Sequence, residues 1–174
     1  MILSTSNHKK FTEYTEYIPD LEVVQGPDIK EVKGTAREVI LHKAKDMGGG
    51  FIVEDTILLV NDIEVVDIRW KLHELKEGDK VSWIVNLGYN DGQSVHLYSG
   101  KIDGVITLDD IAEGSDFDPY FIPDGSALSL SELGEEKKNF SARAEAIKNF
   151  IEGDSTEDVL LFEIPEWTGE YQNS

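Results

Sequence analysis

The chain has 174 residues, with 16 Lys and Arg against 35 Asp and Glu, so its formal net charge is −19 at pH 7. Its length predicts one domain, and its acidity argues against partners that are nucleic acids or anionic membranes, which require a basic surface. The lack of Cys excludes disulfides, thiolate zinc sites and a Cys nucleophile. The sequence contains neither a run of about 18 apolar residues nor a signal-peptide pattern, which predicts a cytoplasmic protein.

Strands and helices alternate along the chain. Apolar runs predict strands at 1–4, 21–24, 51–53, 57–60, 80–87, 95–107 and 119–122, with a turn at 88–92. Helical spacing predicts helices at 11–18, 35–47, 68–75, 131–133 and 141–151. The alternation predicts an α/β fold with a mixed sheet. The last 20 residues are acidic, with a β-like run at 159–164 and no evident role.

Polar residues follow the first predicted strand. Asn7 and Lys10 lie where a helix begins, and free backbone N–H groups at a helix start favour a phosphate. An N-cap Asn beside a surface Lys is the alternative interpretation.

Carboxylates surround the predicted central strand. Glu38 lies in a predicted helix, and Glu54 and Asp55 directly follow the apolar run at 51–53. Paired hard oxygens suit Mg²⁺, which also takes water and substrate phosphates as ligands. A surface Glu and a turn Asp remain the alternative.

A third group combines an aromatic residue, a carboxylate and cations. Phe117 precedes Asp118-Pro119, and the segment from Lys137 to Arg143 supplies positive charge. Such a set can stack on a base and bind its polar edge or the phosphates.

The order of these motifs resembles the inosine triphosphatase family of pyrophosphatases, which act on non-standard purine nucleoside triphosphates. The family's T-G-N-x-x-K is similar to residues 5–10, its E-N-A-x-x-K-A to residues 38–44, and its D/E-D-S/T-x-L to residues 54–58. Its F-G-Y/W-D-P-x-F resembles residues 115–121, and its E-K-x-x-x-S-H-R resembles 136–137 with 141–143. The resemblance covers residues 1–152, which leaves 153–174 as an acidic C-terminal extension.

The resemblance implies a two-lobed α/β fold with a long mixed sheet flanked by helices, a central substrate cleft and a homodimer. It implies Mg²⁺-dependent hydrolysis, with Mn²⁺ as a substitute, of purine NTPs or dNTPs to NMP and pyrophosphate. The implied metal and catalytic residues are Glu38 and Asp55, with Glu54 as a second metal candidate. The implied phosphate-binding residues are Thr5, Asn7, Lys9, Lys10 and Lys43. The implied base- and sugar-binding residues are Asp116, Phe117, Asp118, Lys137, Ser141 and Arg143.

This chain also departs from the family pattern. Ala142 stands where the family motif has His, and Ser115-Asp116 stands where it has Phe-Gly. A loop of the family is shorter in this chain, which keeps its Arg as Arg69 and has Trp70 in the place of its aromatic residue. A missing polar group weakens discrimination between bases, so we expect no strong preference for inosine or xanthosine triphosphate. Three alternatives stay open: a nucleotide-binding protein without turnover, a Maf-like pyrophosphatase with another base preference, and a protein whose acidic tail binds a basic partner.

Overall fold

A computed structural model describes residues 1–5, 8–26, 29–65, 72–108 and 117–172, and for residues 8, 9 and 72 the backbone alone. Within this part of the chain, three α-helices accompany eight strands: α1 (His8–Tyr17), α2 (Ala36–Met47) and α3 (Ala142–Glu152). The strands are β1 (Ile2–Ser4), β2 (Glu22–Val24), β3 (Phe51–Val60), β4 (Ile63–Val65), β5 (Lys80–Asn90), β6 (Ser94–Ile106), β7 (Phe121–Pro123) and β8 (Glu157–Leu160).

The strands form one mixed sheet in the order β2-β1-β3-β5-β6-β7, with β4 added to β3 and β8 to β6. β1 pairs in parallel with β2 and β3, whereas β4, β7 and β8 pair antiparallel to their neighbours. The predicted α/β class and mixed sheet are confirmed.

The chain divides into two compact units. Unit 1 comprises Met1–Asp55, Val85–Ser99 and Arg143–Ser174, and unit 2 comprises Thr56–Ile84 and Gly100–Ala142. The C-terminal residues therefore belong to unit 1, and the predicted boundary at 152 and the substrate cleft stay predictions. Each unit has its own apolar core.

The unit 1 core packs α2 against the sheet. Ile40, Leu41 and Ala44 of α2 contact Val53 of β3 and Val95 of β6, and these side chains are almost fully buried. In unit 2 the core is built from β3, β4, β5, β6 and β7 with the segment after β7. Its buried members are Leu58, Val60, Val65, Val81, Ile106, Phe121, Leu130 and Leu133.

Several predicted elements have different bounds. β3 is a single strand where two runs were predicted, and the turn between β5 and β6 is shorter than 88–92. The strand predicted at 119–122 begins only at Phe121, after a 3₁₀ turn at Asp118–Tyr120. The helix predicted at 131–133 is replaced by a turn and a 3₁₀ segment at Gly134–Asn139. Of the helix predicted at 68–75, the structure describes a 3₁₀ turn at Leu72–Glu74.

Candidate active site

A buried carboxylate, Glu54, lies at the centre of a polar cluster in unit 1. Its side chain is 4% exposed. Arg143, the second residue of α3, donates from Nε to both Glu54 oxygens at 3.1 and 3.0 Å and from Nη2 to Oε1 at 2.8 Å. Tyr14 donates its hydroxyl to Oε2 at 2.6 Å, and Lys10 Nζ lies 3.3 Å from Oε1. One carboxylate thus gathers a guanidinium, a phenol and an ammonium.

Helical spacing explains how α1 reaches this carboxylate. Lys10 and Tyr14 are four residues apart, so they share one face of the helix. Tyr14 is 1% exposed, and Lys10 keeps 28% of its side chain exposed. Glu13, the neighbour of Tyr14, approaches Arg143 Nη1 at 3.7 Å. Lys10 and Glu13 are thus the partly exposed members of the cluster, whereas Tyr14 and Glu54 are buried.

These contacts set the protonation states. Burial alone raises the pKa of Glu54, but the hydrogen bonds from Arg143 and the charge of Lys10 outweigh it, so this pKa lies below its usual value. Burial, followed by the charge of Glu54, raises the pKa of Tyr14 well above its usual value. Glu54 is thus ionised and Tyr14 protonated at neutral pH.

A second group is held by Lys43 of α2. Its Nζ donates to Glu31 Oε1 at 2.9 Å and to the backbone carbonyl of Glu54 at 3.0 Å. Both side chains remain accessible, Lys43 at 25% and Glu31 at 31% exposure. Lys43 therefore ties the Glu31 carboxylate to β3 where Glu54 joins Asp55.

Strand geometry places Asp55 on the same face as this group. Successive side chains of a strand point to opposite faces, so Asp55 shares its face of β3 with Val53. Val53 packs on Ile40 and Ala44 of α2, and Lys43 lies on the same helix. Asp55 is half-buried. The structure thus collects Glu31, Lys43 and Asp55 on the α2 side of β3, and the Glu54 side chain on the other.

Glu38 makes a different kind of contact. Thr35 caps α2 by accepting from the Glu38 backbone N–H at 3.2 Å, and Glu38 Oε1 accepts from the Thr35 backbone N–H at 3.0 Å. This is the reciprocal capping box of a helix start. Hydrogen bonds from Thr35 lower the pKa of Glu38. A metal role for Glu38 stays a prediction, and its described contacts serve the helix.

The predicted phosphate and base residues are distributed over both units. Lys10 and Lys43 have the contacts above, and the Thr5 backbone N–H donates to Val24. In unit 2 Lys137 forms an ion pair with the buried Asp118, and the Phe117 ring lies edge-on to Trp83 at 4.6 Å. Ser141 is half-buried directly before α3. Asn7, the side chain of Lys9, Asp116, Arg69 and Trp70 fall outside the described residues.

Arg143 and Glu54 therefore have contacts that differ from the roles first expected. Arg143, predicted on the base and sugar side, makes its described contacts with Glu54 and Glu13. Glu54, the second metal candidate, spends both oxygens on Arg143, Tyr14 and Lys10. Both predicted roles stay untested.

Sequence reasoning missed Glu31, Tyr14 and Glu13. The four-residue spacing from Lys10 to Tyr14 is a usable signal, because it places both side chains on one face of a helix. Glu31 lies outside any regular helix or strand, so no periodicity marks it.

A magnesium ion fits the donors on the α2 side of β3. Mg²⁺ in nucleotide sites takes one or two carboxylates, with substrate phosphates and water completing the octahedron. Glu31 and Asp55 supply such oxygens, and among the described residues there is no cluster of three His, Asp or Glu side chains suited to a metal. Glu31 and Asp55 are thus the described carboxylates that would hold a metal on this side of β3.

Comparison with known proteins adds the decisive observation. The model of the Ham1 family matches residues 1–66 and 67–153. The chain belongs to the Ham1 family. This confirms the resemblance to the inosine triphosphatase family, of which the chain is a distant member. Among the helices that the structure describes, none is long and apolar enough to cross a membrane.

Curated and solved relatives support this assignment. A dITP/XTP pyrophosphatase of Korarchaeum cryptofilum is 25% identical over 87% of this chain and 94% of its own. One from Thermococcus kodakarensis is 28% identical over 84% of this chain and 92% of its own. The structure of the Staphylococcus aureus Ham1 protein superposes with a TM-score of 0.69, at 19% identity over 88% of this chain and 98% of its own. The last comparison shows a shared fold.

Proposed function

We propose that this Ham1-family chain hydrolyses purine nucleoside triphosphates to the nucleoside monophosphate and pyrophosphate, with Mg²⁺ as cofactor. The observation that carries the proposal is the grouping of Glu31, Lys43 and Asp55 on one face of β3. Such a grouping fits a triphosphate that enters with a metal ion. The names of the relatives, dITP/XTP pyrophosphatases, give the reaction class.

In this proposal Glu31 and Asp55 hold the metal, which neutralises charge on the phosphate oxygens. Lys43 binds the phosphates on this side of β3, since a protein at −19 needs local positive charge to attract an anion. Lys10, which pairs with Glu54 on the other side, stays a predicted phosphate residue. Asp55 orients the attacking water and accepts its proton. Water attacks the α-phosphorus, the bond to the bridging oxygen breaks, and pyrophosphate leaves with the bonding electrons. Cations aimed at that oxygen lower the barrier because charge develops there.

Glu54 and Arg143 support this arrangement from the opposite face of β3. Their ion pair fixes the middle of β3, where Asp55 lies, and Glu54 also pairs with the ammonium of Lys10. In unit 2, Phe117, Asp118 and Lys137 stay the predicted base and sugar residues. A homodimer and a cytoplasmic location stay predictions.

The base preference remains the prediction made from the sequence. Ala142 is 1% exposed, so a His introduced there would overpack its surroundings and would be a poor test. The parent chain itself should be assayed with ITP, XTP, dITP, GTP, dGTP, ATP and dATP. A preference for ITP or XTP of about a hundredfold or more, worth about 2.7 kcal/mol, would contradict it.

The test of the function is pyrophosphate release with Mg²⁺ over that panel. Asp55→Asn and Glu31→Gln should lower kcat by about a hundredfold or more, because each removes a carboxylate that would hold the metal, whose positive charge stabilises the charge that develops in the reaction. Nucleotide binding without pyrophosphate release would instead favour the nucleotide-binding alternative.

Glu38→Gln is the matched control for Glu31→Gln. Gln at this helix position keeps the capping box, so a residue that only caps α2 leaves kcat within about threefold of the parent (about 0.7 kcal/mol). Loss of turnover in Glu38→Gln, with normal turnover in Glu31→Gln, would restore Glu38 as the metal residue.

A further inference from the structure

The last part of the chain, residues 154–172, extends beyond the Ham1 match and packs on unit 1. We name these residues the C-terminal strap. It begins with β8, which pairs with β6 from Ser94 to Leu97. Arg37 of α2 binds Glu157 of the strap through two hydrogen bonds, at 2.7 and 2.6 Å. The strap is thus fixed at its start to the sheet and to α2.

The far end of the strap binds the segment that carries Glu31. The Lys33 backbone N–H donates to the Glu170 carbonyl at 2.9 Å, and the Gln172 backbone N–H donates to the Glu31 carbonyl at 2.9 Å. Val32 and Tyr171 form an antiparallel bridge between these bonds. The Gln172 side chain also donates to the Val32 carbonyl at 3.1 Å. Glu31 therefore lies in a short two-stranded ladder whose second strand is the strap.

Trp167 extends this contact to α2. Its indole N–H donates to the Glu170 carbonyl at 2.8 Å, and its ring meets the buried His42 edge-on, 5.2 Å between centroids. A Cβ at Gly34 would lie 2.9 Å from the Trp167 ring, so glycine permits this close approach. Trp167 thus packs between the Glu31 segment and the residue next to Lys43.

Two acids near the far end of the strap lie close to lysines of unit 1. Glu170 lies 3.4 Å from Lys33, and Glu166 lies 3.5 Å from Lys45. Lys45 Nζ also donates to the Ile164 carbonyl at 3.1 Å. These contacts join the strap to Lys33 and to α2 of unit 1.

We propose that the C-terminal strap positions Glu31 against Lys43 and so sets the activity of the site. The proposal rests on the function proposed above for Glu31. Residues 29–31 have no helix or strand of their own, so the ladder with the strap supplies their backbone constraint. A carboxylate held in place beforehand loses less conformational entropy when the substrate and its metal bind. Trp167, Tyr171 and Gln172 are therefore positioning residues for the site.

The test uses the full chain with three substitutions. Gln172→Pro removes the backbone N–H that donates to the Glu31 carbonyl. Tyr171 then precedes a proline, which favours the extended backbone that its bridge with Val32 needs. Trp167→Ala removes the contact with His42. Phe162→Ala is the matched control, since Phe162 is an aromatic residue of the strap with 83% of its surface exposed. Each variant is measured by amide hydrogen exchange over residues 29–36 and by kcat and the Mg²⁺ concentration for half-maximal rate.

We expect faster exchange at the Lys33 amide in Gln172→Pro and Trp167→Ala, and parent-like exchange in Phe162→Ala. The Mg²⁺ concentration for half-maximal rate should rise by about tenfold in the first two, with kcat recovering at high Mg²⁺. A general loss of folding would not be rescued by Mg²⁺. Unchanged exchange, or faster exchange with unchanged Mg²⁺ dependence, would overturn the proposal. If the parent chain shows no turnover, the proposed function is refuted. Amide exchange then tests the strap separately: faster exchange in the two variants shows that the strap holds the Glu31 segment, and unchanged exchange shows that it does not.

Discussion

Glu54 shows how one buried residue depends on its neighbours. A carboxylate that is 4% exposed requires compensation, and Arg143, Tyr14 and Lys10 supply it. Removing one partner of a buried ion pair is costly because the other charge stays buried. Arg143 is itself only 13% exposed. The stability of unit 1 should therefore be sensitive to the Glu54 charge.

We predict that Glu54→Gln lowers the free energy of unfolding by about 3 kcal/mol, as expected when a buried pair is broken. Tyr14→Phe, which removes a hydrogen bond to a charged group, should lower it by about 1.5–3 kcal/mol. Urea unfolding at pH 7 measures both. Glu13→Gln is the control, because Glu13 meets Arg143 only at 3.7 Å and a partly exposed pair contributes about 0–1 kcal/mol.

The depressed pKa of Glu54 gives this prediction a pH dependence. Its contribution to stability is present above the unfolded value of 4.5 and is lost as pH falls through the folded pKa. The difference between the parent and Glu54→Gln should therefore shrink at pH values below about 4.5. A difference that stays constant down to pH 3 would show that packing, and not the charge, explains the loss.

The sequence indicated several residues of the candidate site, but not the side chains that they contact. Asp55, Lys10 and Lys43 follow from the motif order. Glu31 could not be recognised, because the contact that gives it meaning joins a segment without regular structure to Lys43 of α2. The pairing of Arg143 with Glu54 was missed for the same reason, since the two residues lie 89 positions apart in the chain.

At the level of elements, β3 is longer than its hydrophobicity suggests. The polar stretch Glu54-Asp55-Thr56 predicts a break, yet the strand continues from Phe51 to Val60. The physical reason is that Arg143 and Tyr14 compensate the Glu54 side chain, so a charged residue can remain in a buried strand. The α2 helix, in contrast, was predicted within a residue because Gly34-Thr35 and the glycine run after Met47 mark its ends.

The N-terminus of α2 offers an independent test of the capping box. Thr35→Ala removes the side-chain acceptor for the Glu38 N–H and should lower the free energy of unfolding by about 1 kcal/mol. Thr35→Ser keeps a hydroxyl there and should be close to the parent. Thermal or urea unfolding measures both variants. Equal stability of Thr35→Ala and Thr35→Ser would show that the cap contributes little.

At the scale of the whole molecule, a titratable histidine connects the C-terminal strap to the sheet. His96 on β6 lies 2.7 Å from Asp91 and 2.6 Å from Asp158 of β8. The hydrogen bond with Asp91 raises the pKa of His96 above 6.5, and the one with His96 lowers the pKa of Asp91 from 3.8 to about 2. A protonated His96 thus joins the β5–β6 turn to the strap.

We predict that this link stabilises the fold most between about pH 4 and 6.5. A raised His pKa contributes stability that is complete below pH 6.5 and lost as pH rises through the folded value. The stability advantage of the parent over His96→Gln should therefore decline as pH is raised from 6 to 9. Urea unfolding across this range measures it, and an advantage that does not change with pH would contradict the role of the imidazolium.

The pairing of β8 with β6 also bears on how the protein behaves in concentrated solution. A strand side that faces away from its hairpin partner exposes N–H and C=O groups that can recruit a strand from another molecule. On β6, β8 pairs with residues Ser94 to Leu97 and β7 with Gly104 to Ile106. Between them, the Ser99 carbonyl accepts from Asn149 and the Asp103 carbonyl from the Asp124 N–H. Residues of β7, β8 and their neighbours Asp124 and Asn149 thereby bond this side of β6, which leaves fewer N–H and C=O groups there for a strand of another molecule.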